Sequence, residues 1–147
     1  MKILKFGGKS LDNGSGILTV LDIIIDNYRA GEAPVVVVSA RGKSTDALLA
    51  LAEQACAGEP YEAALQAFWE HQCQDTTLRF EVERVQLERL LSGISLLGEC
   101  SPRTVDELVS YGEVLSSQYV AQALKDRGYE AVAIDSGDFL VTDAHYG

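Results

Sequence analysis

The sequence predicts an α/β fold built on a mostly parallel β-sheet. An opening strand at residues 2–6 runs into two glycines, and an amphipathic helix follows almost at once. A run of β-branched residues at 34–39 then gives a second strand, which completes a β-α-β unit. A third strand is predicted at residues 129–134. Strands that alternate with helices in this way are typical of a parallel sheet.

Length and charge exclude several classes of protein. The chain has 147 residues and 47% apolar residues, which is enough for one domain with a hydrophobic core. Its 12 basic and 22 acidic residues give a net charge of −10, which repels nucleic acids and anionic membrane surfaces. The sequence shows neither a signal stretch nor a membrane-spanning run. We therefore expect a cytoplasmic protein that binds neither nucleic acid nor membranes.

The turn after the first strand has the composition of a phosphate-binding loop. Gly7 and Gly8 let backbone N–H groups approach an anion closely, and the helix that follows adds a partial positive charge. Lys5 can reach the same place, while Lys9 and Ser10 add a second cation and a hydroxyl. The alternative is a strand-to-helix turn whose glycines only relieve steric strain and whose lysines only solubilise an edge.

The tripeptide Gly-Lys-Ser occurs twice, ending at Ser10 and at Ser44. A P-loop requires another glycine five positions before the glycine of this tripeptide. Ile3 and Val37 stand at those two positions. Neither copy is therefore a P-loop, and a phosphate site here must be built in another way.

The first helix is predicted from apolar residues at helical spacing between Ile17 and Tyr28, and Gly31 ends it. The β-branched run Pro34–Ser39 is typical of a parallel strand that is covered on both faces. Because β-α-β units are right-handed, the loops after Phe6 and Val38 should lie at the same carboxyl edge of the sheet. Ligands of open α/β sheets bind at that edge.

The second loop, residues 39–46, resembles the first in its small residues, cations and hydroxyls. Thr45 or Asp46 is predicted to cap a helix over residues 47–57. For Ser39 and Thr45, a structural role and a binding role remain equally open. We expect the anion-binding charge to come from four cations, namely Lys5, Lys9, Arg41 and Lys43.

Residues 59–98 are predicted to be helical throughout and to carry little chemistry. Their apolar stripes are typical of core, so Trp69 and His71 are interpreted as packing residues. The three cysteines show no metal or disulfide spacing and are predicted to be reduced thiols that fill the core. With only His71 and His145 as further ligands, no metal site is expected.

A further helix begins near Ser101-Pro102 and contains a glycine, Gly112. A glycine inside a helical pattern indicates a break or the close approach of another group. Glu113 directly follows and is a candidate site residue, with a surface glutamate as the alternative. Near the end of the sequence, residues 139–141 are expected to form a short extended piece.

Three separated segments resemble the aspartokinases of the amino acid kinase family. They are Lys5-Phe6-Gly7-Gly8-Lys9-Ser10, Val38-Ser39-Ala40-Arg41-Gly42-Lys43-Ser44-Thr45-Asp46 and Glu107-Leu108-Val109-Ser110-Tyr111-Gly112-Glu113. The stretch Gly93-Ile94-Ser95-Leu96-Leu97-Gly98 is also similar to the aspartokinase half of bifunctional aspartokinase-homoserine dehydrogenases. The resemblance covers the whole chain in order.

The resemblance implies a three-layer α/β/α, amino acid kinase-like fold with a helical insertion at about 59–112. Residues 1–147 would form the N-terminal part of the kinase domain, with the adenine pocket and further catalytic residues in a second half beyond Gly147. The implied activity is the ATP-dependent phosphorylation of the L-aspartate β-carboxylate, the first step of lysine, threonine and methionine biosynthesis. ATP, Mg²⁺ carried by the nucleotide, and a homo-oligomeric parent protein are implied with it.

By the same resemblance, Lys5 would be catalytic and would bind the transferring phosphoryl group together with Gly7, Gly8, Lys9 and Ser10. Aspartate would be bound by three residues of the later segments, Ser39, Thr45 and Glu113. Lys9 departs from the family pattern, which usually has Thr or Ser there, so its role is open. Two alternatives remain: a non-catalytic phosphate- or aspartate-binding or assembly module, and another relative within the amino acid kinase family.

Overall fold

The computed structural model describes residues 1–12 and 14–140, which form two β-strands and five α-helices joined by loops and two short 3₁₀-helices. The strands are β1 (Ile3–Phe6) and β2 (Val35–Val38). The helices are α1 (Gly14–Arg29), α2 (Ser44–Cys56), α3 (Glu62–Gln72), α4 (Glu81–Leu97) and α5 (Pro102–Lys125). The 3₁₀-helices span Gly8–Leu11 and Ser136–Asp138.

The two strands pair in parallel, with Ile3 opposite Val35 and Phe6 opposite Val38. This register confirms the predicted β-α-β unit and the α/β fold class. Because both strands end at the same level, the loops that follow Phe6 and Val38 leave the sheet side by side. The predicted meeting of the two loops at one carboxyl edge is therefore confirmed.

The prediction that the second strand is covered on both faces is wrong for the described residues. Leu4, Phe6, Val36 and Val38 pack against a core built from α1 and α5. The alternating residues point away, and Ile3, Val35 and Val37 are 60%, 49% and 46% exposed. Since α1 and α5 both pack on the same face, the β-branched run reports high strand propensity and not coverage on two sides.

The predicted third strand at residues 129–134 is also not observed. The segment forms no β-ladder within residues 1–12 and 14–140, and it lines a groove of about 610 Å³ together with β2. Apolar side chains of α5, among them Val120 and Leu124, line the floor of the groove. The predicted extended piece at 139–141 is a turn at Phe139, and Val141 lies outside the described residues.

The helices form a second core of their own. Buried side chains of α2, α3, α4 and α5 pack together there, with Trp69 and Phe68 of α3 among them, so the packing role of Trp69 is confirmed. The predicted continuous helix over 59–98 is interrupted at residues 73–80, where Phe80 adopts a left-handed conformation with φ 52° and a buried ring. α5 contributes to both cores and so ties the helical layer to the sheet.

α5 runs without a break through Gly112, although a helical insertion was expected to end at about that residue. Ser101 caps the helix, since its hydroxyl accepts a hydrogen bond from the Thr104 N–H at 3.2 Å, and Pro102 begins it. Of the two explanations for a glycine in this helix, the close approach of another group is the one observed, because Ala40 lies against Gly112.

Candidate functional site

The first loop (residues 7–12) and the second loop are bonded to each other at the carboxyl edge of the sheet. The second loop is limited to residues 39–43, because α2 begins at Ser44. The Gly42 N–H donates a hydrogen bond to the Gly8 carbonyl at 3.0 Å. A Cβ atom on Gly8 would overlap the carbonyl oxygen of Ala40, so only glycine allows this contact. Gly42 has φ 55°, a left-handed conformation that glycine adopts without strain. The glycines at positions 8 and 42 are thus required by the contact between the loops.

α5 closes the site from a third side. A Cβ atom on Gly112 would lie 2.7 Å from the Ala40 Cβ, so the helix can approach the second loop only because residue 112 is glycine. Next to this contact, the Glu113 Oε1 accepts a hydrogen bond from the Ala40 N–H at 3.1 Å. Its other carboxylate oxygen has no hydrogen-bond partner among the described residues. Glu113 therefore combines a fixed position with a free acceptor.

The lysines of the two loops are exposed. The Lys5 ammonium folds back toward the first loop, where its Nζ lies 3.8 Å from the position that a Cβ on Gly7 would take. Lys9 and Ser10 lie on the exposed side of the 3₁₀-helix, and Lys43 is exposed immediately before α2. None of these lysines forms a salt bridge within the described residues. Their charge is free to attract an anion to this edge.

The N-terminus of α2 opens at the same edge. The helix begins at Ser44, three residues earlier than the predicted Ala47, and Lys43 occupies the cap position without a side-chain hydrogen bond. The prediction that Thr45 or Asp46 caps this helix is therefore wrong. Thr45 is an exposed residue of the first turn, and Ser39 is half-buried where its N–H donates to the Phe6 carbonyl at 3.2 Å.

Arg41 does not join the cation cluster that the sequence predicts. Its side chain is turned into the protein and is 1% exposed. The Nε donates to the Leu11 carbonyl at 3.0 Å, and Nη1 donates to the carbonyls of His71 at 3.1 Å and Gln74 at 3.3 Å. All three acceptors are backbone groups. Arg41 is thus a residue of the second loop whose buried side chain has a structural role and is not exposed to an anion.

His71 is not the packing residue that the sequence predicts. Its Nε2 lies 3.3 Å from the Asp12 carboxylate. The same carboxylate lies against Gly42 of the second loop. The following residue, Gln72, donates from its buried amide to the Ser44 hydroxyl at 2.6 Å. The C-terminus of α3 is therefore bonded to the first loop and to the start of α2. Periodicity could not show this, because the contacts join residues far apart in sequence and belong to polar side chains on an apolar stripe.

Burial shifts the pKa of three side chains in the helical layer. It raises the pKa of the Tyr119 phenol, an effect that the nearby Arg41 guanidinium opposes, with its carbon 4.5 Å from the ring centroid. Burial also raises the pKa of the Cys100 thiol, with a smaller contribution from Cys56, and that of the Tyr111 phenol. The three cysteines are half-buried free thiols, in agreement with the prediction of reduced thiols.

Within residues 1–12 and 14–140, no group of three or more His, Cys, Asp or Glu side chains is arranged to hold a metal ion. His145 lies outside the described residues. No helix in this part of the chain has both the length and the apolar character needed to span a bilayer.

Comparison with known proteins finds a family that matches almost the whole chain. The sequence profile of the amino acid kinase family matches residues 1–146. Chloroplastic aspartokinase 2 of Arabidopsis thaliana is 32% identical over 153 residues, an alignment that covers 96% of this chain and 28% of the relative. The chain thus spans less than a third of the length of that protein.

Solved structures agree with the sequence match. Escherichia coli aspartokinase III in complex with lysine and aspartate (T-state) superimposes with a TM-score of 0.64 at 34% identity, covering 88% of this chain and 30% of the other. The complex of the same enzyme with aspartate and ADP (R-state) also gives a TM-score of 0.64, at 31% identity, and covers 87% of this chain and 29% of the other.

Proposed function

This chain belongs to the amino acid kinase family, and from that premise we propose that it is the N-terminal part of an aspartate kinase. The reaction is the transfer of the γ-phosphoryl group of ATP to the β-carboxylate of L-aspartate, which gives 4-phospho-L-aspartate. The observation that carries the proposal is the locked pair of loops, with exposed cations and the free Glu113 oxygen at one sheet edge. The aspartate and ADP held by a similar enzyme support this choice of substrates.

The phosphoryl group is proposed to lie over the first loop. The Lys5 ammonium lies beside Gly7 there, and we assign the backbone N–H groups of Gly7 and Gly8 as further donors to the phosphoryl oxygens. Lys9 and Ser10, exposed on the same loop, provide a further cation and a hydroxyl. Magnesium enters as part of the MgATP substrate.

The aspartate site is proposed to lie between the second loop and α5. The free carboxylate oxygen of Glu113 pairs with the α-ammonium group of aspartate, while its Oε1 stays bonded to Ala40. Ser39 and Thr45 provide hydroxyls at the second loop and at the first turn of α2. A substrate without an α-ammonium group would leave the Glu113 charge unpaired, which favours aspartate over acylated or nucleotide acceptors.

Catalysis in this proposal consists of positioning and charge neutralisation. A β-carboxylate oxygen of aspartate attacks the γ-phosphorus in line, the bond from phosphorus to the β,γ-bridging oxygen breaks, and ADP leaves. Lys5 and the loop N–H groups stabilise the charge that develops on the phosphoryl oxygens. The protein forms no covalent intermediate.

Hydroxylamine trapping of acyl phosphate tests the proposal. We expect aspartate- and MgATP-dependent hydroxamate from these residues within a polypeptide of the relatives' full length. Lys5→Ala should lower turnover by about 10²–10³-fold with little change in the KM for aspartate. Lys2→Ala, an exposed lysine before β1, is the matched control and should leave turnover unchanged.

Two outcomes would contradict the proposal. If Lys5→Ala and Lys2→Ala have the same turnover, Lys5 does not stabilise the transferring group. If the longer polypeptide forms no hydroxamate with aspartate but does so with another carboxylate, the chain serves a different member of the family. This assay leaves four parts of the proposal as predictions: the N-terminal position in the domain, a homo-oligomeric parent, a cytoplasmic location and the biosynthetic pathway.

A further inference from the structure

Arg41 connects four parts of the chain through one side chain. Its guanidinium bonds the carbonyl of Leu11 in the first loop, of His71 at the end of α3, and of Gln74 in the segment that follows. The guanidinium carbon also lies 4.5 Å from the centroid of the Tyr119 ring on α5. The Arg41 side chain that makes these contacts is buried, whereas the lysines of the two loops are exposed.

A buried cation without a carboxylate is energetically expensive. Transfer of an ion from water to a protein interior is strongly unfavourable unless hydrogen bonds and nearby charge compensate it. Among the described residues Arg41 has no salt-bridge partner, and its Nη2 is buried without a hydrogen-bond partner. Three carbonyls and one aromatic face therefore provide the observed compensation. A group that is merely filling space would be apolar.

The neighbours of Arg41 in the chain show what its anchoring controls. Ala40, directly before it, donates to Glu113, and Gly42, directly after it, donates to Gly8. The Arg41 carbonyl accepts from the Ser44 N–H at 3.0 Å and from the Ser44 hydroxyl at 2.5 Å. A shift of the Arg41 backbone would therefore move the contacts to the first loop, to α5 and to the start of α2 together.

We propose that Arg41 is a positioning residue, whose buried guanidinium fixes the second loop against the first loop and Glu113. Its kinetic consequence rests on the proposed aspartate kinase function, whereas its effect on the loops does not. The planar guanidinium is required because it presents donors in a fixed fork to carbonyls that lie in different directions. A lysine ammonium at this position has one nitrogen and cannot reach all three acceptors.

Amide hydrogen exchange on the chain tests the proposal without an activity assay. In Arg41→Ala we expect exchange in residues 7–12 and 39–45 to rise at least about tenfold, as the loss of charged hydrogen bonds implies. α4 should keep its protection. Millimolar guanidinium should restore loop protection by filling the vacated position, whereas ammonium should not. The control Leu91→Ala removes a buried side chain of α4 and should raise exchange in the helical layer, not in the loops.

Arg41→Lys provides a second variant if Arg41→Ala does not fold. It keeps the charge but not the fork, so we expect faster exchange in the same two loops. Unchanged loop exchange in a folded Arg41 variant would overturn the proposal. Uniformly faster exchange in loops and helices would also overturn it, because Arg41 would then stabilise the whole fold and not position the loops.

The kinetic consequence is measured in a polypeptide of the relatives' full length. Arg41→Lys should raise the KM for aspartate and lower kcat, since the second loop carries Ser39, proposed for aspartate, and is bonded to the first loop, proposed for the phosphoryl group. A displacement of about 1 Å costs about 10²-fold in rate. If loop exchange rises in the variant while no hydroxamate forms even in the parent protein, the aspartate kinase function fails and the role of Arg41 stands. If hydroxamate forms normally in both, the positioning role in catalysis is wrong.

Discussion

Glu113 holds the second loop with one carboxylate oxygen and presents the other to the proposed aspartate site. Two substitutions separate these roles. Glu113→Gln keeps an oxygen that accepts from the Ala40 N–H but loses the charge that pairs with an ammonium group. Glu113→Ala loses both.

We expect both Glu113 variants to raise the KM for aspartate about 10–100-fold, since a hydrogen bond to a charged group is worth about 1.5–3 kcal/mol. Only Glu113→Ala should also speed hydrogen exchange of the Ala40 amide. Steady-state kinetics and amide exchange measure the two effects. An unchanged KM in Glu113→Gln would show that Glu113 serves only the loop.

Tyr119 gives the protein a pH dependence at high pH. Because burial raises the pKa of its phenol, the folded chain holds this proton more tightly than the unfolded chain does. The resulting stability is present below the unfolded pKa of about 10 and is lost as the pH rises through the folded pKa.

Tyr119→Phe should therefore lose less stability than the parent chain between pH 8 and a pH above about 10. Urea unfolding at the two pH values measures the difference, with Tyr28→Phe, at a half-exposed tyrosine, as the control. An identical loss in the parent and in Tyr119→Phe would exclude Tyr119 as the source.

At the scale of the elements, α5 depends on a glycine that its own helical structure disfavours. Gly112→Ala would gain about 1 kcal/mol of helix propensity, but the added methyl group meets the Ala40 Cβ at 2.7 Å. Overpacking usually costs about 1–3 kcal/mol, and the gain in helix propensity offsets about 1 kcal/mol of it, so we expect a net loss of up to about 2 kcal/mol.

Gly93→Ala on α4 is the matched control for this prediction, because nothing lies within 4 Å of the position of its added Cβ. It should stabilise the chain by up to about 1 kcal/mol. Urea denaturation compares the two variants. Equal stabilisation by both variants would contradict the prediction, because α5 and the second loop would then separate to admit the methyl group without a loss of stability.

The sequence predicted the elements whose signals are local. Strand propensity and helical periodicity located β1, β2 and α1, and right-handed crossover placed the two loops at one edge. The prediction of a third strand at 129–134 was wrong. Strand formation depends on a neighbouring strand to pair with, and local propensity gives no information about such a partner. The cap at Thr45 or Asp46 was wrong because α2 begins earlier, where the buried Ser44 bonds the Arg41 carbonyl.

The site was predicted to a similar extent. Glycines and cations of the first loop were recognisable from their spacing after a strand, and the roles given to Lys5, Ser39, Thr45 and Glu113 remain predictions. The burial of Arg41 and the contact between His71 and Asp12 were missed. Both involve polar side chains whose partners come from distant segments. The composition of the second loop could not show these partners, and Arg41 was therefore predicted to be one of the exposed cations.

At the scale of the whole molecule, one face of the two-stranded sheet is an exposed apolar surface. Ile3, Val35 and Val37 form it, and both outer strand edges lack partners among the described residues. Such surfaces promote association.

We expect the isolated chain to self-associate as its concentration rises and Val37→Lys to weaken this association. Sedimentation velocity over a concentration series measures it. Leu18→Lys, on α1 at a residue that is 50% exposed, is the control and should behave as the parent does. A monomeric parent chain at all concentrations, or equal effects of the two variants, would contradict the prediction.

The exposed sheet face also determines how strongly Lys5 acts, because Lys5 lies in register with Val37 on that face. In water, an ammonium group 4 Å from a unit negative charge gains about 1 kcal/mol, whereas at the effective dielectric constant of a protein surface it gains about 4 kcal/mol. Any polypeptide that covers this face and excludes water therefore strengthens the same lysine without touching it. The exposure of β1 and β2 to water therefore influences anion affinity together with the charge of Lys5.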